Sequence, residues 1–137
     1  MKTMLALTAS FALFAVTPAF AQPAPVNLGA DPAIAIAGRD LQPSDSRVAQ
    51  AREWLKKVAA ATGETEEQVA ASCMKLVKFM LDSVRVRALP AEVLDGLALQ
   101  AAPGKPLSEL TSGYYAARRA APGKTHAEAM AVLAAKK

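Results

Sequence analysis

The residues with the best claim to chemistry in this chain are its one cysteine, Cys73, and its one histidine, His126. A thiolate and an imidazole form a nucleophile–base pair when the fold brings them within hydrogen-bond reach. Nothing near Cys73 marks a strained nucleophile turn, and its neighbours Met74, Leu76 and Val77 are apolar. The expectation for Cys73 is therefore a small buried hydrophobe, with an intermolecular disulfide as the alternative. His126 is expected in the first turn of the last helix, mostly exposed to solvent. A metal site needs further Cys, His or clustered carboxylate ligands at suitable spacing, and none accompanies it. Gly123-Lys124-Thr125 resembles the end of a phosphate-binding loop, but the glycine required five residues earlier is Arg118, and no strand precedes it. Glu66, Glu67 and Asp82 are accounted for by helix capping and pairing. The reading assigns no catalytic, cofactor-binding or metal-ligating residue. It expects no cofactor and a protein that is not an enzyme.

The elements that would position these residues are all helical. Ser46 to Thr62 carries Val48, Ala51, Leu55 and Val58 three and four apart, which puts them on one face. Trp54 lies at the edge of that stripe, and Gly63 supplies the left-handed stop. Thr65-Glu66-Glu67-Gln68 has the spacing of a capping box. It opens a long helix with a stripe of Val69, Cys73, Leu76, Met80 and Val84, widened by Val77 and Leu81. Lys78 and Asp82 form an i,i+4 pair on its wet face. Arg85 and Arg87 are read as the cationic end of this helix. Phe79 and Val86 fall outside the stripe and are free to meet another element or another subunit. Pro90 opens a shorter helix to about Ala101, in which Gly96 costs about 1 kcal/mol relative to Ala.

The last third contains a near-repeat. Ala101-Ala102-Pro103-Gly104-Lys105 recurs as Ala120-Ala121-Pro122-Gly123-Lys124, and each copy leads into a turn-plus-helix unit. Leu107, Leu110 and Tyr114 face inward in the first unit, and Met130, Leu133 and Ala134 in the second. Thr125 and Glu128 repeat the capping-box spacing. Two copies are too few for a solenoid.

The first 21 residues have the three parts of a secretory leader: a charged start at Lys2, an apolar run from Met4 to Val16, and Ala19-Phe20-Ala21 before Gln22. The apolar run is too short to span a bilayer. The expectation is cleavage after Ala21 and a periplasmic or secreted destination. Residues 22–43 read as a Pro/Ala-rich arm or linker, within which Ile34 and Ile36 alternate with Ala as in a short strand, while Asp31-Pro32 and Gly38 bracket a short helix. The helix is preferred because nothing else in the chain reads as a strand to pair with. Residues 44–137 read as the helical domain. The fold class expected is all-α, a small bundle of four or five helices behind the leader and arm.

Charge is uneven along the chain. The formal net charge is +4, and residues 101–137 hold six basic against two acidic residues. Such a basic end suits an anionic lipid headgroup, a polysaccharide or an acidic protein face. Export argues against nucleic acid. The functional expectation is an alanine-rich helical interaction protein of the cell envelope. It would be an accessory, adaptor, inhibitor or stress factor for a system such as secretion or transfer. An envelope protein partner is expected, with homo-oligomerisation also open. The alternatives are an envelope hydrolase with an unrecognised site and a membrane- or polysaccharide-surface binder. The candidate interaction surface comprises Phe79, Val86, Tyr115, Arg118, Arg119, Lys136 and Lys137.

Overall fold

The computed structural model describes Gly29 and residues 31–137. The leader and the cut after Ala21 lie outside the described residues. Those residues form six α-helices and no strand: α1 (Pro32–Ala37), α2 (Ser46–Thr62), α3 (Glu66–Val84), α4 (Pro90–Gln100), α5 (Leu107–Ala120) and α6 (His126–Ala135). The protein is all-helical throughout this region. No helix among the described residues is long and apolar enough to cross a membrane.

Local chemistry explains the boundaries. Asp31 caps α1 by accepting the Ala33 N–H at 2.9 Å, and Pro32 occupies the first turn, where its missing N–H costs nothing. Both capping boxes form: Thr65 with Gln68 at the start of α3, and Thr125 with Glu128 at the start of α6. Gly63 ends α2 at φ 75°. On the wet face of α3, Lys78 reaches Asp82 at 2.7 Å.

The segment expected to be an arm contributes to the core. Ala33 and Ile36 of α1 are buried against α2, α3 and α4. Asp31 holds Arg52 of α2 at 3.0 Å, which ties the α1 cap to the bundle. The hub is α4, which packs against all five other helices. Val93, Leu94, Leu97 and Ala98 are buried on it, as expected for a helix that is apolar almost all round. Such a helix has little room for charge, so its two carboxylates, Glu92 and Asp95, must find partners. They find them on α5 and α6.

Three expectations about α3 and its end are corrected. The helix stops at Val84, and Arg85 turns left-handed at φ 55°. Arg85 and Arg87 therefore stand in a loop, not on the last helical turn. The reversal carries Val86 inward, with its N–H bonded to the Met80 carbonyl at 3.2 Å and its side chain only 6% exposed. Val86 belongs to the core, not to the exposed surface expected for it alongside Phe79 and Tyr115, and shows only an edge to the cleft beside Arg85 and Arg87. Leu81, expected to widen the apolar stripe, is exposed.

Candidate functional site

The densest polar chemistry lies where α4, α5 and α6 meet. Tyr114 comes from α5, its ring fully buried. Its position depends on Gly96 of α4: a Cβ there would overlap the Tyr114 ring. The glycine that weakens α4 as a helix thus admits the largest buried side chain on α5. Gln100 braces the same contact by donating to the carbonyls of Gly96 at 3.0 Å and Leu110 at 3.1 Å.

The Tyr114 hydroxyl sits between two nitrogens. Arg118 Nη1 donates to it at 2.8 Å, and His126 Nδ1 lies 2.9 Å away. Arginine can only donate. The tyrosine oxygen therefore accepts from Arg118, and the same hydroxyl shares a hydrogen bond with His126 Nδ1. The other ring nitrogen, Nε2, faces Asp95 Oδ2 at 2.9 Å, so the imidazole bridges the tyrosine and the carboxylate. Glu92 accepts the Leu89 N–H at 2.9 Å and faces Arg118 Nη1 at 3.3 Å. Arg118 also donates from Nη2 to the Arg87 carbonyl at 3.0 Å and from Nε to the Lys124 carbonyl. One guanidinium thus clamps the α3–α4 and α5–α6 loops together. Burial pushes the Tyr114 hydroxyl up to about 12, against the opposing pull of Arg118.

These contacts correct two expectations. His126 is not a mostly exposed surface histidine; its side chain is 20% exposed and both ring nitrogens are engaged. Arg118 is not a surface cation. It is 5% exposed, while its neighbour Arg119 is exposed. The basic pair is split between core and solvent, because Arg118 continues the Leu110–Tyr114 face at four-residue spacing. Sequence reasoning missed Asp95, Glu92 and Tyr114 as members of one network. The signal that could have found them was two carboxylates on an otherwise apolar helix.

Cys73 lies in the core as expected, fully buried. Desolvation pushes its thiol up to about 12, which keeps it protonated and a poor nucleophile at neutral pH. The structure does not bring Cys73 to His126, whose two nitrogens face Tyr114 and Asp95. Among the described residues, no three His, Cys, Asp or Glu side chains are gathered to hold a metal ion.

The remaining expected surface residues separate. Phe79 is 51% exposed on α3 and packs on Tyr115 of α5, ring centroids 5.4 Å apart and planes tilted by 59°. Beside them runs a groove of about 380 Å³ between α3 and α5, lined by Ser72, Lys75, Leu76, Phe79, Leu107, Ser108 and Thr111. Lys136 and Lys137 are exposed at the end of α6, and border a smaller hollow with Gln100, Lys105 and Leu133. The aromatic pair and the terminal lysines therefore belong to different places. No protein-family model, curated protein or solved structure matches this chain.

Proposed function

We propose that this protein is an exported, periplasmic helical interaction protein that acts without catalysis, as an accessory, adaptor, inhibitor or stress factor of an envelope system. The observation that carries the reading is Phe79: a large aromatic side chain half in solvent, packed at a tilt on Tyr115 and set beside an apolar groove. Aromatic side chains give contact area with few rotors to freeze and are enriched where proteins meet. Export is supported by the leader pattern of residues 1–21. The Cys73 thiol, protonated in the core, supports binding over thiol chemistry.

The test is crosslinking in the intact envelope from a photoreactive residue at position 79, with the exposed position Glu53 on α2 as control. A discrete adduct at 79 that is absent at 53, and lost on Tyr115→Ser, is the expected result. A chain that stays monomeric and uncrosslinked at both positions defeats the reading.

A further inference from the structure

Clamping the α3–α4 and α5–α6 loops together has an electrostatic consequence on the outside. The loops face each other across a cleft of about 480 Å³, bordered by Arg85, Arg87, Glu92, Arg118, Lys124 and His126. The charges inside it are not balanced. Arg118 and Glu92 form an ion pair at 3.3 Å, so they largely cancel. Arg85, Arg87 and Lys124 are exposed, and none makes an ion pair among the described residues. Three like charges, two from the α3–α4 loop and one from the α5–α6 loop, concentrate a positive field in the cleft.

Backbone conformation points the same way. Arg85 at φ 55° and Lys124 at φ 53° are the non-glycine residues with positive φ among the described residues. The left-handed conformation crowds a Cβ against the following carbonyl and is strained for any residue but glycine. Both such positions carry a cation, and both border the same cleft. The left-handed turn at Lys124 also lets its carbonyl accept from Arg118. Arg118 in turn donates to the Arg87 carbonyl. The buried guanidinium thereby sets the spacing of the residues that bear the exposed cations. Preorganised cations gain more from a ligand because less order is lost on binding.

We propose that this cleft binds a phosphate oxyanion, with Arg85, Arg87 and Lys124 as its direct ligands and Arg118 as the positioning residue beneath them. Guanidinium forks match phosphate oxygens in pairs, and the lysine ammonium adds a point charge. The cleft is larger than inorganic phosphate, which suits a phosphate carried on an organic body. That body is either a small soluble ester or a lipid headgroup. The site is separate from the Phe79–Tyr115 face and stands independently of the function proposed for it.

Amide NMR titration of the purified chain tests this, with inorganic phosphate and glycerol phosphate as probes and sodium chloride at matched ionic strength as control. Saturable shifts are expected at residues 85–88 and 122–126 with both phosphates and not with chloride. The double variant Arg85→Gln/Lys124→Gln should bind at least about tenfold more weakly, while its melting temperature in phosphate-free buffer stays unchanged. Should that variant fold poorly, Arg87→Gln alone carries the same expectation. Sedimentation with phosphatidylcholine vesicles, with and without phosphatidic acid, distinguishes the sources. Pelleting that needs phosphatidic acid and is lost in the variant identifies a headgroup; soluble binding without pelleting identifies a small ester. The proposal is overturned if neither phosphate nor vesicle binds saturably, or if the variant binds as tightly as the parent. Equal weakening by Arg119→Gln with Lys136→Gln would also overturn it, because general charge would then suffice.

Discussion

Substituting Arg118 with methionine should unfold this protein far more readily than the same change at Arg119, although the two are adjacent and identical. Methionine keeps most of the apolar stem of arginine and removes the charged head. At position 118 that head donates to Tyr114 Oη at 2.8 Å, to Glu92 at 3.3 Å, to the Arg87 carbonyl at 3.0 Å and to the Lys124 carbonyl. Hydrogen bonds from a charged donor contribute about 1.5–3 kcal/mol each, and those sharing one donor group do not add. Breaking a buried ion pair from one side costs about 3–5 kcal/mol. Glu92 is 30% exposed and can regain water, which argues for the lower end, about 3 kcal/mol. For a chain of this size that is a drop of roughly 10–15 °C in melting temperature. Arg119 is exposed with no such partners, so Arg119→Met should change stability by less than about 0.5 kcal/mol. Arg118→Lys should rescue only part of the loss, since one ammonium cannot span both loops as a guanidinium does. Urea and thermal melts followed by circular dichroism measure all three. Equal effects at 118 and 119, or an Arg118→Met variant within about 0.5 kcal/mol of the parent, would refute the clamp.

Two further predictions concern the same junction and the core behind it. Gly96→Ala would ordinarily strengthen a helix by about 1 kcal/mol, but here the new Cβ meets the Tyr114 ring. Overpacking of about 1–3 kcal/mol should win, giving a net loss of stability with shifted His126 ring resonances; a stabilised Gly96→Ala protein would contradict the close approach. Alkaline pH should also destabilise the fold. The Cys73 thiol is raised from 9.0 to about 12 and the Tyr114 hydroxyl from 10.0 to about 12, both first by burial. Above pH 9 the unfolded chain gives up these protons while the folded chain retains them, so stability falls as pH rises towards 12. The loss should be about 3 kcal/mol near pH 10.5, about 2 of it from Cys73, so Cys73→Ala should remove most of it. A urea midpoint that is flat from pH 8 to 10.5 would show that neither proton is held.

The helices were legible because their signals are local. Thr65 with Gln68 and Thr125 with Glu128 satisfy orphan N–H groups within four residues, so the pattern survives without any tertiary knowledge. Gly63 is equally local. The left-handed turn at Arg85 is not. No glycine announces it, and the apolar run through Val84 and Val86 reads as continuing helix. The turn forms where Val86 and Ala88 can enter the core, a gain that depends on α4 and α5 being in place.

The polar junction was hidden for a different reason. Charge type and helical position pull Arg118 in opposite directions. Its charge and its neighbour Arg119 suggest solvent, whereas its spacing from Leu110 and Tyr114 places it on the face that packs inward. Spacing prevails because α4 sets Glu92 and Asp95, each only about a third exposed, against the junction with α5 and α6, where a partly desolvated carboxylate gains from a partner. Arg118 answers one and His126 the other. A helix that is apolar except for two carboxylates is therefore a request for cations from elsewhere in the chain. A basic residue lying on another helix's apolar stripe is the natural answer to it. Matching the two in the sequence would have located Arg118 in the core and, with it, the loops that bring Arg85, Arg87 and Lys124 to one cleft.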